Sequence, residues 1–169
     1  MSEFVTPRRL NHTVYITRDT AATVAFYRDV LGMRLVSYAA ADEVPSTGDK
    51  VHFLHTFFEI GDGSMVAFFE IEGLPEEPEQ VVPRWARHLA MSVDSEEELL
   101  SAMRRLKEHG VEVLGPVDHE GIWSSIYFFD PNGVRLELTY QNRVLTDDDA
   151  AAAGEGVAAW LAEHGAVRH

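Results

Sequence analysis

The sequence predicts an α+β fold built from two tandem copies of one βαβββ module. The first observation is a repeated opening strand, because HTVYIT at 12–17 can be laid over HLAMSV at 88–93 with a histidine leading each. The second is a repeated order of elements, since a helix, a short strand and a hairpin follow each opening strand. We therefore expect one domain with two pseudo-symmetric halves.

Each half carries a predicted helix directly after its opening strand. In the first half, apolar residues recur at helical spacing, at Val24, Tyr27, Val30 and Leu31. In the second half, one apolar face is formed by Leu99, Met103 and Leu106. Ser95, with Glu98 three residues later, is a suitable cap for the second helix. Gly32 and Gly110 end the two helices, nearly the same distance apart as the two leading histidines.

Each half then finishes with a short strand and a hairpin. The short strands are MRLVSYA in the first half and VEVLG in the second. The first hairpin pairs VHFLHTFFEI with SMVAFFEI across Gly61-Asp62-Gly63, and the second pairs WSSIYFF with VRLELTY across Asp130-Pro131-Asn132-Gly133. Glycine and asparagine tolerate positive φ and proline presets the first corner, so both segments favour chain reversal.

The chain divides into one domain and a tail. We expect the domain at 1–141, with module one at about 9–72, a linker at 73–84 and module two at about 85–141. The linker prediction depends on EGLPEEPEQVVP, which is rich in proline and glutamate. Residues 142–169 are predicted to be a C-terminal helical extension, with Thr146 as its cap and acidic residues in its first turn. Gly154 and Gly156 count against this helix.

Charge and composition exclude several classes of protein. Aspartate and glutamate outnumber lysine and arginine 28 to 14, giving a net charge of −14, which repels nucleic-acid phosphates. The absence of cysteine removes disulfides, thiolate metal sites and cysteine nucleophiles. The N-terminal segment lacks the apolar core of a signal peptide, and no apolar run reaches membrane-spanning length. We therefore expect a cytoplasmic protein that binds neither nucleic acid nor membrane.

Four residues at related places in the two halves are candidate metal ligands. His12 and His88 lead the opening strands, while Glu70 and Glu137 lie on the closing strands. In a pseudo-symmetric pair of modules such positions can face one cleft, although a single strand histidine is more often an ordinary polar residue. Two imidazoles and a carboxylate suit a divalent metal, either Fe(II), Mn, Ni, Co or Zn. His52 and His55 have no counterpart in the second half, so we interpret them as cleft-lining or surface groups.

The motifs resemble those of the vicinal oxygen chelate superfamily over about residues 9–141. FYRDVLGMRLV after an HTV strand, followed later by DPNGVRLEL, carries the resemblance. The superfamily includes glyoxalase I, extradiol dioxygenases, fosfomycin-resistance enzymes and bleomycin resistance proteins. Its glyoxalase/extradiol dioxygenase-like fold implies curved sheets around a cleft, where two substrate oxygens chelate one metal. It also implies a homodimer, because members commonly pair subunits or modules.

The resemblance implies a set of site residues. The metal ligands become His12, His88 and Glu137, and the glyoxalase pattern adds Glu70 as a possible fourth ligand. Ring-cleaving dioxygenases use three ligands on Fe(II), with a tyrosine ten residues before the last glutamate and a histidine about nine residues before that tyrosine, one more than in this chain. Tyr127 precedes Glu137 by ten residues, and His119 precedes Tyr127 by eight, so this pair is the implied catalytic pair.

Three functions are consistent with the resemblance, in the following order. The first is an Fe(II) extradiol-type dioxygenase acting on a catechol-like small molecule, in which His119 moves a proton and Tyr127 donates a hydrogen bond. An apolar wall for the ring is then expected from Phe53, Phe57, Trp123 and Phe129, although core packing explains each of them as well. The second is a glyoxalase-like lyase or isomerase with a non-cycling metal, which Glu70 favours. The third is a non-catalytic antibiotic-binding protein.

Overall fold

The computed structural model describes residue 7, residues 9–75 and residues 82–164. Module one contains a strand, a helix and three further strands, in the predicted order. These elements are β1 His12–Ile16, α1 Thr20–Val24, β2 Arg34–Ala41, β3 Phe53–Glu59 and β4 Met65–Ile71. Helix α1 continues without interruption as a π-helical segment over Ala25–Val30.

Module two repeats this order after a short 3₁₀ turn at Arg84–Ala86. Its elements are β5 Leu89–Ser92, α2 Glu96–Glu108, β6 Leu114–His119, β7 Trp123–Phe129 and β8 Arg135–Gln141. The short strand begins three residues later than VEVLG predicted. The tail forms helix α3 over Asp147–His164, which runs through both of its glycines. Part of the predicted linker, at 76–81, lies outside the described residues, as do the ends of the chain at 1–6 and 165–169.

Each module forms one four-stranded mixed sheet, with strand orders β1-β4-β3-β2 and β5-β8-β7-β6. The opening strand is parallel to the closing strand of its own module, and the remaining pairs are antiparallel. The two opening strands therefore occupy matching edges of the two sheets. The prediction of two tandem βαβββ modules is confirmed.

Capping groups define the starts of the helices. The Asp19 carboxylate accepts a hydrogen bond from the backbone N–H of Ala22 at the start of α1. Ser95 accepts from the backbone N–H of Glu98 as predicted, and the N–H of Asp149 donates to Thr146 at the start of α3. These caps satisfy backbone donors that the helices themselves leave without partners.

The π-helical continuation of α1 was not predicted. Its backbone hydrogen bonds join residues five positions apart, rather than the four of an α-helix. For example, the Leu31 N–H donates to the Phe26 carbonyl at 3.0 Å. The extra residue in the turn brings the adjacent Phe26 and Tyr27 into the core together, and both are buried. The helix ends at Gly32, whose φ of 74° is a conformation that favours glycine.

The two modules pack against each other through their helix-bearing faces. The Phe26 and Phe128 rings have centroids 6.4 Å apart, and Tyr27 donates a hydrogen bond of 3.0 Å to the Asp130 carboxylate. Arg105 on α2 donates to the carbonyl of Val30 at 2.7 Å. One continuous core results, formed by both modules and including Phe58, Phe68, Leu99, Leu106, Ile126 and Leu136. Within the described residues, no helix is both long enough and apolar enough to cross a bilayer.

Candidate metal centre

Each sheet has a core face, which meets the other module, and an outer face on the opposite side. Because side chains alternate along a strand, Leu136 and Leu138 of β8 pack in the core while Arg135, Glu137 and Thr139 lie on the outer face. The same alternation in module one puts Phe58 in the core and Phe57 on the outer face. Each predicted site residue can therefore be assigned to the core face or the outer face of its sheet.

His88 and Glu137 lie together on the outer face of module two. The Nε2 atom of His88 is 2.9 Å from Oε2 of Glu137, and Glu137 is only 7% exposed. The other ring nitrogen, Nδ1, lies 3.3 Å from the Trp85 carbonyl, which would orient the ring. Two atoms bound at about 2.1 Å to one first-row ion lie about 3 Å apart. This pair of donor atoms therefore fits a shared divalent metal.

His119 and Tyr127 complete a polar cluster beside this pair. The Tyr127 hydroxyl lies 2.8 Å from Nε2 of His119, and the Tyr127 ring meets the His88 ring edge-on with centroids 5.9 Å apart. Tyr127 is also directly opposite Glu137 in the β7–β8 ladder. Burial, and then the charge of Glu137, raise the pKa of Tyr127, so its hydroxyl is held in the proton-donating form. The structure thus brings the predicted pair next to two predicted ligands.

His12 lies apart from these residues, on the outer face of module one. Its Nδ1 is 2.7 Å from the Asn11 side-chain oxygen, and its ring contacts Phe57 with centroids 5.6 Å apart. Within residues 9–75 and 82–164, no three histidine, aspartate or glutamate side chains are grouped so as to hold a metal. The expectation that one chain alone brings His12, His88 and Glu137 to a common point is therefore not met.

Glu70 does not occupy the position that matches Glu137. Tyr127 pairs with Glu137 in module two, and Phe57, its counterpart in module one, pairs with Ala67. Glu70 lies three residues further along β4, on the side of the helix, where it accepts a hydrogen bond of 3.0 Å from the Thr20 backbone N–H. The predicted positional match between the two glutamates is wrong, because a shift of three residues reverses the face.

His55, which the sequence led us to interpret as a cleft-lining or surface group, lies beside His12. It lies on the same outer face as His12, with ring centroids 6.4 Å apart, and it stacks on Phe69 at 3.7 Å. Its Nε2 atom is buried and has no hydrogen-bond partner in the described part of the chain. Burial, and then the neighbouring His12, lower the pKa of His55. Its counterpart in module two is Ser125, and strand alternation from Phe57 puts His55 on the outer face.

The four residues expected to form an apolar wall are divided between the modules. Phe53 and Phe57 lie on the outer face of module one, where Phe53 meets Phe69 edge-on with centroids 5.2 Å apart. Trp123 and Phe129 lie on β7 in line with Tyr127, on the outer face of module two. The aromatic residues are therefore divided in the same way as the histidines.

The repeated βαβββ topology, with one mixed sheet in each module, defines a class of two-module proteins. Consistent with this, residues 9–138 match the model of the Glyoxalase/Bleomycin resistance protein/Dioxygenase superfamily, and the chain belongs to that family.

Two curated relatives illustrate the range of the family. The chain is 31% identical over 138 residues to biphenyl-2,3-diol 1,2-dioxygenase 3 of Rhodococcus globerulus, covering 82% of this chain. The match spans 65% of that dioxygenase, just under two thirds of its length. The chain is also 28% identical over 130 residues to the metallothiol transferase FosB of Bacillus licheniformis, covering 76% and 73% of the two chains.

A solved structure of the fosfomycin resistance protein FosX from Listeria monocytogenes has a similar fold. That structure is of a mutant complexed with Mn(II) and 1S,2S-dihydroxypropylphosphonic acid. Its TM-score is 0.52 at 24% identity, covering 79% of this chain and 92% of FosX. The likeness extends over both modules and supports the fold.

Proposed function

We propose that this protein is a divalent-metal enzyme whose active site is completed by two copies of the chain. His88 and Glu137 of one copy would bind the metal together with His12 of the other. One observation carries the proposal: His88 and Glu137 are already 2.9 Å apart, while His12 lies on a separate outer face. A second copy related by a twofold axis would supply the missing imidazole and produce two identical sites.

The outer faces have features of a surface that pairs with another chain. β1 and β5 are each at the edge of a sheet, where one side of the strand has no partner in that sheet. Val14, two residues from His12 on β1, is 41% exposed, and Phe129 on the outer face of module two is 40% exposed. Pairing module one of one copy with module two of the other would cover these apolar side chains. It would also place the histidines of the two edges close together.

The metal would have three protein ligands, and Fe(II) is the favoured ion. Two imidazoles and one carboxylate leave coordination positions open, and a metal bound there would chelate two substrate oxygens and hold a small third ligand. Mn, Ni, Co and Zn are compatible with the same donor atoms. The position of Glu70 on the side of the helix supports three ligands rather than four. This favours a dioxygenase over the glyoxalase-like lyase or isomerase, for which Glu70 was the distinguishing ligand.

We infer that the reaction is an extradiol-type ring cleavage of a catechol-like small molecule. The similarity to a biphenyl-diol dioxygenase supports this substrate class. His119, bonded to the Tyr127 hydroxyl at 2.8 Å, would accept the proton of a substrate hydroxyl and later return it. Tyr127 would donate a hydrogen bond to a substrate oxygen, since its raised pKa keeps the proton on the phenol. Phe57 and Phe69 of the other copy would contact the face of the ring.

Mixed oligomers test whether the site is shared between copies. His12→Ala and Glu137→Ala chains are each expected to be inactive, since each lacks one ligand in every site. Random mixing of the two would form pairs in which one of two sites is intact, restoring about one quarter of wild-type activity. Metal content, measured on the separated hetero-oligomer, should rise in parallel. No recovery on mixing would show that the site is not shared in this way.

Anaerobic reconstitution tests the reaction. Protein loaded with Fe(II) and given a panel of catechols should consume oxygen and form the absorbing ring-cleaved product. The same protein loaded with Ni or Co should not act on hemithioacetals. Absence of oxygen uptake with every diol, together with activity on hemithioacetals, would establish the lyase or isomerase instead.

A further inference from the structure

A cavity of about 600 Å³ is lined by one predicted metal ligand, His88, and by three arginines. It lies between the edge strand β1, the segment before β5 and the turn that leads into β8. Val14, His88 and the guanidinium-bearing residues Arg84, Arg87 and Arg135 are among its lining residues. These arginines come from two separate segments, so no run of basic residues in the sequence marks them. The fold nevertheless gathers them beside His88.

This concentration of positive charge is unusual in a chain with a net charge of −14. Some other cationic groups are paired with carboxylates, as in the contacts of Arg34 with Glu59 and of Arg143 with Asp149. Within the described residues, no carboxylate lies within ion-pair distance of the three cavity arginines, which leaves their charge for another partner. Three like charges in one cavity repel one another, and an anion bound between them would remove that repulsion.

Two of the arginines are held in place by aromatic rings rather than by acids. The Arg135 guanidinium carbon lies 4.3 Å from the centroid of Tyr127, and that of Arg84 lies 4.3 Å from the centroid of Phe129. Stacking occupies one face of a guanidinium, whereas its N–H donors point outward in the plane of the group. The stacked arginines therefore keep donors for a ligand while their positions are fixed. Such preorganised planar donors match the two oxygens of an oxyanion.

The turn beside Arg84 also fits this arrangement. Gly133 has a φ of 78°, and a Cβ placed on it would be 3.3 Å from a terminal nitrogen of Arg84. Glycine thus serves both the turn and the close approach of the guanidinium. A side chain at this position would require the Arg84 guanidinium to move by a few tenths of an ångström.

We propose that this cavity binds an oxyanion of the substrate, with Arg135, Arg84 and Arg87 as the anion-binding group. The inference rests on the proposed function, since it places the anion next to the metal ligand His88. The preferred substrate is then a small molecule that carries a carboxylate or a similar oxyanion in addition to its two chelating oxygens. Arg135 is the central residue, because it also contacts the Tyr127 ring of the catalytic pair.

Anion binding to metal-free protein tests the cavity separately from the metal. Chelator-treated protein would be titrated with benzoate and with inorganic phosphate, followed by calorimetry and by protein-observed NMR. Arg135→Gln should weaken binding about tenfold, as expected for losing one charge-assisted hydrogen bond. Arg84→Gln should weaken it by a similar factor. Arg104→Gln, on the exposed surface of α2, is the matched control and should bind like wild type.

The two anions distinguish the chemistry of the ligand, since tighter binding of benzoate indicates a carboxylate and tighter binding of phosphate indicates a phosphoryl group. Failure of the wild type to bind either anion, or equal binding by Arg135→Gln, would overturn the inference. Saturable binding that Arg135→Gln and Arg84→Gln lose and Arg104→Gln keeps would support it.

A substrate pair then links the cavity to the active site. For the metal-loaded protein, a dihydroxybenzoate should have a kcat/KM at least about tenfold above that of its methyl ester, and Arg135→Gln should abolish this preference. If the metal-free protein binds anions but never retains a metal, the proposed function fails and the anion site stands. If metal and oxygen uptake are present without any preference for the acid, only the anion site fails.

Discussion

The two modules share one backbone plan but present different chemistry on their outer faces. At matching positions, module two has Tyr127 and Glu137 where module one has Phe57 and Ala67. The leading histidines, His12 and His88, are the same in both. At these positions module two carries a phenol and a carboxylate, while the outer face of module one carries two imidazoles, His12 and His55, and an aromatic surface. A repeated backbone can therefore carry different chemical groups at matching positions of its two copies.

The largest effect is expected where the modules differ by a carboxylate. Glu137→Ala should reduce metal affinity by more than the roughly 10–100-fold typical of losing an outer-shell partner, because it removes a ligand. Glu70→Ala, the matched change in module one, should retain the metal. It should lower the free energy of unfolding by about 1 kcal/mol, since Glu70 accepts a hydrogen bond from the Thr20 N–H. Elemental analysis and chemical denaturation would measure both, and metal loss from the Glu70 variant would restore the four-ligand site.

A smaller effect is expected where the modules differ by a hydroxyl. Tyr127→Phe should lower kcat about a hundredfold, because it removes the partner of His119, while metal content is unchanged. Phe57→Ala should mainly raise KM, since it removes apolar contact area rather than a proton-transfer group. Tyr38→Phe, at an exposed tyrosine of β2, controls for loss of a phenol. Equal changes in kcat and KM for the Tyr127 and Phe57 variants would contradict the division of roles.

The smallest effect concerns the two hairpin turns. Burial raises the pKa of the Asp130 carboxyl group in the folded protein. The contribution of this group to folding stability is therefore fully present below the unfolded-state pKa of about 3.9. That contribution is lost as pH rises through the higher pKa of the folded state. Asp62 is the aspartate of the module-one turn, at the place of Asn132 rather than Asp130, and hydrogen bonds from Ser64 lower the pKa of Asp62. Its contribution is present above the unfolded-state pKa and is lost as pH falls through the folded one.

Substitution of each turn aspartate by asparagine would separate these opposite trends. Relative to wild type, Asp130→Asn should gain stability as pH rises from acid toward neutral, on top of a constant loss of hydrogen bonds. Asp62→Asn should lose relative stability over the same change. Urea denaturation at several pH values measures both differences. Slopes of the same sign would mean that burial of Asp130 does not control its titration.

Much of the fold was predictable because its signals are local. Ser95 and Thr146 mark helix starts by side-chain hydrogen bonds to residues three positions away, and Gly32 marks a helix end by its backbone conformation. The repeated histidine-led strands then gave the order of elements. Each of these features depends on residues close together in the sequence, so the printed chain contains the information.

The site was less predictable because it depends on register and on long-range packing. Glu70 lies on a closing strand, as expected, but three positions from the place of Ala67, and the hairpin pairing alone decides which face it occupies. The distance of His12 from Glu137 is set by the packing of the two modules through their helix-bearing faces. The arginine cavity likewise combines separate segments. None of these arrangements has a signature within a short stretch of sequence.

The packing of the modules through their helix-bearing faces has a consequence for how the protein can change. The contacts that join the modules, such as Tyr27 with Asp130 and Phe26 with Phe128, use side chains of the core faces and of the turn. Phe57, His55 and Phe69 on the outer face of module one take no part in these contacts. Laboratory selection for new substrates should therefore tolerate many replacements at Phe57, His55 and Phe69, with little loss of folded protein. Substrate preference can then change through residues on one face of a strand, while residues on the opposite face maintain the stability of the fold.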